Sequence, residues 1–209
     1  MKETLKNLPK ILRILAQLYP DPKCALHYKT PWQLLVAVIL SAQCTDKKVN
    51  EVTEKLFKKY RTLDAYTGAK PAEFERNIYS TGFYRAKTKN ILAAAKVVKK
   101  DFGGRLPKTM GEMLTIPGVG RKTANVVLGE LYGASEGIAV DTHVIRLSRL
   151  LGLTKHTDAV KIERDLMAIV PKKDRVRFSH SLILYGREYC PARKHNHTNC
   201  PLARFYVTV

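Results

Sequence analysis

Apolar residues recur at helical spacing along almost the whole chain, and each such stretch is closed by proline or glycine. No convincing run of alternating apolar and polar residues bounded by hairpin turns interrupts them. This pattern restricts the chain to an all-α fold. Trp32 to Leu40 is apolar on most sides and predicts a buried helix. Thr45 or Asp46 caps a helix through Tyr60, with Val49, Val52 and Leu56 inward. Pro71 suits the first turn of a short helix carrying Phe74 and Ile78. Ala86 to Lys100 sets Ile91, Ala95 and Val98 on one face, and Gly103-Gly104 ends that helix. Further helices are predicted at about Glu112 to Thr115, Thr123 to Tyr132, Thr142 to Leu151, Asp158 to Val170 and Asp174 to Glu188.

Near the start of the chain, Leu5, Leu8, Leu12 and Leu15 form a helical stripe rather than the core of a signal peptide. The longest wholly apolar run, Leu34 to Leu40, is far too short to span a bilayer, so no membrane partner is expected. A cytoplasmic, nucleoid-associated monomer is the expectation. Cys24, Cys44, Cys190 and Cys200 then read as thiols or ligands rather than a disulfide framework.

The most specific stretch is LTIPGVGRKTANVVL, Leu114 to Leu128. A helix stops at Pro117, a Gly-Val-Gly hairpin follows, and a second helix starts at about Arg121. Gly118 and Gly120 permit positive φ and close approach of a partner to the backbone. Their N–H groups, with those opening the next helix, make an anion site suited to a phosphate. Charge points the same way: 37 Lys and Arg against 18 Asp and Glu leave +19, which favours a polyanionic partner.

Lys122 falls in the first turn of the second helix, at the positive end of its dipole. There the neutral amine is favoured, and a neutral lysine forms Schiff bases with aldehyde-like carbons. Phosphate binding alone is the competing role. Asp141, in Ile138-Ala-Val-Asp-Thr-His-Val, stands where an apolar stretch gives way to a helix. It is expected to cap that helix and stay ionised, although Thr142 could also cap. An ionised carboxylate near a nucleophilic lysine stabilises cationic sugar character and assists proton transfer.

LTIPGVGRKTANVVL and IAVDTHVIRLSRLLG, supported by SAQCTD and GFYRAK, resemble the endonuclease III family of DNA glycosylases. The resemblance runs from about Leu34 to the C-terminus. It implies two helical domains flanking a DNA-binding cleft: residues 22–134 with the helix-hairpin-helix, and residues 1–21 with 135–209. It implies that Lys122 is the catalytic lysine and Asp141 the catalytic aspartate. Gln43 matches the residue that fills the gap left by a flipped base, and His143 a histidine near the flipped nucleotide. Phe83 falls where the family often has leucine in a turn that wedges into the duplex, and a core position is its alternative. Arg121, Arg193 and Lys194 complete the expected DNA contacts with Gly118 and Gly120.

The implied activity is that of a bifunctional glycosylase and AP lyase. It removes oxidised or reduced pyrimidines from double-stranded DNA and cuts abasic sites by β-elimination. Activity on another lesion or mismatch, or a non-catalytic DNA-binding role, fits the same motifs less fully. The family ends in four cysteines that hold a 4Fe–4S cluster. Here Cys190 and Cys200 match two of them, while His197 and Tyr206 stand in place of the others. The expectation is therefore no cluster and no other cofactor. Zinc on Cys190, His197 and Cys200, with His195 as a possible fourth ligand, is the weaker alternative. A metal-free loop would be held by packing of Phe205, Tyr206 and Val207.

Overall fold

The computed structural model describes residues 2–133 and 136–207. Among them are eleven α-helices and no strand. In chain order these are α1 (Lys2–Leu18), α2 (Pro31–Leu40), α3 (Asp46–Lys59), α4 (Leu63–Thr67), α5 (Pro71–Ile78) and α6 (Tyr84–Asp101). Then follow α7 (Met110–Met113), α8 (Arg121–Tyr132), α9 (Thr142–Leu150), α10 (Ala159–Ile169) and α11 (Arg175–Glu188). The chain divides into two compact units, Cys24–Ala134 and a second made of Met1–Lys23 with Ser135–Val209.

Cys24–Ala134 is built around α2, whose residues Leu34 to Leu40 are all buried. Thr30 accepts from the Gln33 N–H to open that helix, with Pro31 in its first turn. Val49, Val52 and Leu56 of α3, Phe74 and Ile78 of α5, and Ile91, Ala95 and Val98 of α6 close around it. Each Val, Leu, Ile or Phe among them contributes about 1.5–3 kcal/mol on full burial. Tyr60, Tyr66 and Phe74 add an aromatic cluster with centroids 5.2 to 5.8 Å apart.

The other unit has its own core. Leu8, Ile11 and Leu15 of α1 pack with Val144 and Leu147 of α9, Ile162 and Leu166 of α10, and Phe178, Leu182 and Tyr185 of α11. Tyr19 donates to Glu188 at 2.9 Å, fastening the segment after α1 to the end of α11. Ile138, Ala139 and Val140 run buried toward α9, and Ser179 donates to the Ala139 carbonyl at 2.7 Å. That buried approach delivers Asp141 to the start of α9 with its side chain half-buried.

Candidate active site and nucleic-acid interface

The hairpin alternates inward and outward residues. Ile116 and Val119 are buried, while Gly118 and Gly120 are exposed. Gly118 has φ 78°, and a Cβ there would lie 2.7 Å from Asn90 Cβ, so two constraints demand glycine. Gly120 corrects the expectation of positive φ. It lies at φ −90° and ψ 174°, as the N-cap of α8. Its lack of a side chain leaves that helix start without a side-chain cap and with open space where a Cβ would sit. The dipole and the opening N–H groups of α8 are thereby presented at an uncluttered surface. Arg121 and Lys122 occupy the first turn, both exposed.

Gln43 and Phe83 have φ 53° and 48°, and among the described residues they are the only non-glycine positions with positive φ. Both side chains are exposed, Phe83 at 65%, which dismisses the core alternative for Phe83. Strain of this kind costs about 1–3 kcal/mol and persists where the surroundings impose it. Close to both turns lies Lys87, which sequence reasoning missed. This buried lysine on α6 donates to the carbonyls of Leu40 at 2.8 Å and Thr81 at 2.7 Å. Leu40 ends the helix that leads into Gln43, and Thr81 opens the turn that carries Phe83. Tyr79, also 65% exposed, packs its ring 4.8 Å from that of Tyr84 beside the same turn.

In the second unit, Asp141 caps α9 as expected, its Oδ1 accepting from the Val144 N–H at 2.9 Å. Two residues on, His143 packs on Gly186 of α11, where a Cβ would stand 2.6 Å from its Nδ1. Burial holds the imidazole below its usual titration range, Arg187 and Arg146 push the same way, and Asp141 opposes them. Arg193 and Lys194 are exposed on the loop after α11.

That loop overturns the expectation of no cofactor. Cys190, His195, His197 and Cys200 converge until all four donor atoms lie within 4.8 Å of one another, a group able to hold a metal. The fourth donor is His195, the residue the zinc alternative named as a fourth ligand. The Tyr206 hydroxyl pairs with that of Tyr185 at 3.0 Å. The donors present are two thiols and two imidazoles, whereas a 4Fe–4S cluster is ordinarily held by four thiolates. Phe205 and Tyr206 do pack on the core, but the Val207 side chain is exposed and only its N–H is engaged, by the Leu150 carbonyl.

A glycine hairpin opening an uncapped helix with a lysine in its first turn, in an all-helical chain, is the architecture of helix-hairpin-helix base excision enzymes. Residues 36–172 match the model of the HhH-GPD superfamily of base excision DNA repair proteins. The chain belongs to that superfamily and, within it, to the endonuclease III family. Endonuclease III of Synechocystis sp. is 52% identical over 203 residues, covering 97% of this chain and 93% of the relative. The structure of a non-covalent endonuclease III–DNA complex aligns with TM-score 0.91 at 40% identity, covering 97% of this chain and 94% of that one. A trapped endonuclease III–DNA covalent intermediate, the estranged-adenine complex, aligns equally well at 40% identity, covering 97% and 95%. Among the described residues no helix is long and apolar enough to cross a membrane.

Proposed function

We propose that this chain excises oxidised or reduced pyrimidines from double-stranded DNA and cuts the strand at the abasic site, with Lys122 as nucleophile and Asp141 as its acidic partner. Family membership makes the chain a DNA glycosylase with AP lyase activity, acting on DNA. The observation that carries the assignment to Lys122 is its placement. It is exposed in the first turn of α8, just past the positive-φ turn at Gly118 and on a helix start without a side-chain cap.

The hairpin amides and the α8 dipole hold a backbone phosphate. Gln43 and Phe83 enter the space vacated when the damaged nucleotide leaves the stack, and Arg121, Arg193 and Lys194 neutralise flanking phosphates. The neutral Lys122 amine attacks C1′ as the C1′–base bond breaks, and the base departs with the electron pair and takes up a proton. Ring opening at O4′ leaves a protonated imine. That imine acidifies the C2′ hydrogen, and loss of this proton expels the 3′ phosphate by β-elimination. Asp141, fixed by its capping bond, supplies negative charge while positive charge develops on the sugar. His143, neutral in its packed position, contacts the displaced nucleotide without adding charge. No step runs through a metal.

Borohydride trapping on an abasic duplex tests the assignment. The wild-type chain should become covalently attached to DNA, Lys122→Ala should bind without attachment, and Asp141→Asn should attach slowly. A wild-type chain that binds this duplex yet is never trapped disproves the role given to Lys122.

A further inference from the structure

We propose that Cys190, His195, His197 and Cys200 form a closed structural zinc site that fixes the loop carrying Arg193 and Lys194. Cys190 and Cys200 are buried and free of disulfide, while His195 is half-buried and His197 exposed. Cys200 Sγ lies 3.5 Å from His195 Nε2 and 3.5 Å from His197 Nδ1. Cys190 Sγ lies 3.9 Å from His197 Nδ1. Zinc bonded tetrahedrally to sulfur at about 2.3 Å and nitrogen at about 2.0–2.1 Å sets its S···N ligand pairs about 3.5 Å apart. Two of these pairs already have that spacing, and the remaining donors, all within 4.8 Å of one another, need only a small contraction to close on one ion.

The surroundings prepare the donors as ligands. His195 Nδ1 is 2.9 Å from the Arg193 carbonyl, which requires the proton on Nδ1 and turns the Nε2 lone pair toward Cys200. His197 meets both sulfurs through one nitrogen, and its ring is braced edge-on by Tyr206 and by His195. The Arg146 guanidinium donates to Cys190 Sγ at 3.4 Å and to the Cys190 carbonyl, as a support for a thiolate ligand does. Four protein donors leave no open position, so the ion is structural and not catalytic. Two thiolates balance its charge, and ligand exchange would add a cross-link to a loop whose residues Ala192 to Lys194 and Asn196 to Asn199 are exposed.

Metal analysis of the full chain, purified without affinity tag or chelator, tests this independently of Lys122. About one zinc per chain is expected. Exchange for cobalt should give the intense visible bands of a tetrahedral thiolate–imidazole site with sulfur-to-metal charge transfer. Chelator should lower the melting temperature, and His195→Ala should lose the four-coordinate cobalt spectrum while remaining folded by circular dichroism. Because Cys200→Ser risks misfolding, the wild-type cobalt spectrum is the deciding measurement. Iron with acid-labile sulfide in place of zinc, or a reduced and folded chain that takes up neither zinc nor cobalt, overturns the proposal.

Discussion

Lys87 donates from Nζ to the carbonyl of Leu40 at 2.8 Å, across a buried gap between α6 and the end of α2. Its second bond, to Thr81, makes one ammonium the common support of the two turns that present Gln43 and Phe83. Removing it leaves two carbonyls without their donor, which costs about 2 kcal/mol. Lys87→Met keeps the stem volume and is expected to lower stability by that amount in urea unfolding. It should also weaken binding to a lesion duplex beyond what the stability loss explains, because both inserting residues lose their fixed backbone. Unchanged affinity in the folded variant would limit Lys87 to a structural role.

Gln43 and Phe83 test whether strain is retained for function. Glycine adopts left-handed backbone without the penalty of about 1–2 kcal/mol borne by other residues. Gln43→Gly and Phe83→Gly are thus expected to leave the melting temperature unchanged or raised. Both should reduce excision from duplex DNA by about 10-fold or more, as loss of a stacking or gap-filling side chain does. A stability loss with intact excision would show that these side chains serve the fold.

Most of the helices were legible because an amphipathic helix writes its buried face at a fixed period, as α3 and α6 do. Short α4 was not, since five residues carry no period and Thr62 alone marks its start. Lys122 and Asp141 stood out because a glycine hairpin and a helix cap are local signals. Lys87 was hidden, for a lysine on a helix normally reads as solvated and its burial depends on two distant carbonyls. In sequence the metal-ligand group of Cys190, His195, His197 and Cys200 ranks below a metal-free loop because its spacing is not a strong zinc pattern. Donor convergence is set by how residues 190–200 fold, and the spacing of Cys190, His195, His197 and Cys200 along the chain does not show it.

The hairpin glycines should separate in their effects. Gly118→Ala meets Asn90 at 2.7 Å and also places a side chain at φ 78°, so a loss of about 1–3 kcal/mol is expected in thermal or urea unfolding. Gly120→Ala meets nothing within 4 Å at an ordinary φ and should fold normally. It should nevertheless weaken DNA binding, since its methyl group occupies the approach to the α8 amides. A Gly120→Ala chain with full affinity at several salt concentrations would remove that surface from the phosphate site.

His143 gives a pH dependence with a definite sign. Its folded titration point lies below the ordinary 6.5, chiefly through burial, with Arg187 and Arg146 acting in the same direction. The unfolded chain therefore binds the extra proton first as pH falls. The stabilising contribution is complete above the unfolded value and is lost as pH drops through the folded one. Melting temperature should begin to fall as pH drops below the ordinary histidine range near 6.5, and His143→Gln should make that slope shallower. Gly186→Ala offers a second route to the same group. Its Cβ would stand 2.6 Å from Nδ1, so the ring must swing toward solvent. The imidazole should then titrate nearer its ordinary value in an NMR pH series, with a matching loss of slope. An imidazole that titrates identically in the wild type and Gly186→Ala would rule out this packing contact as the cause.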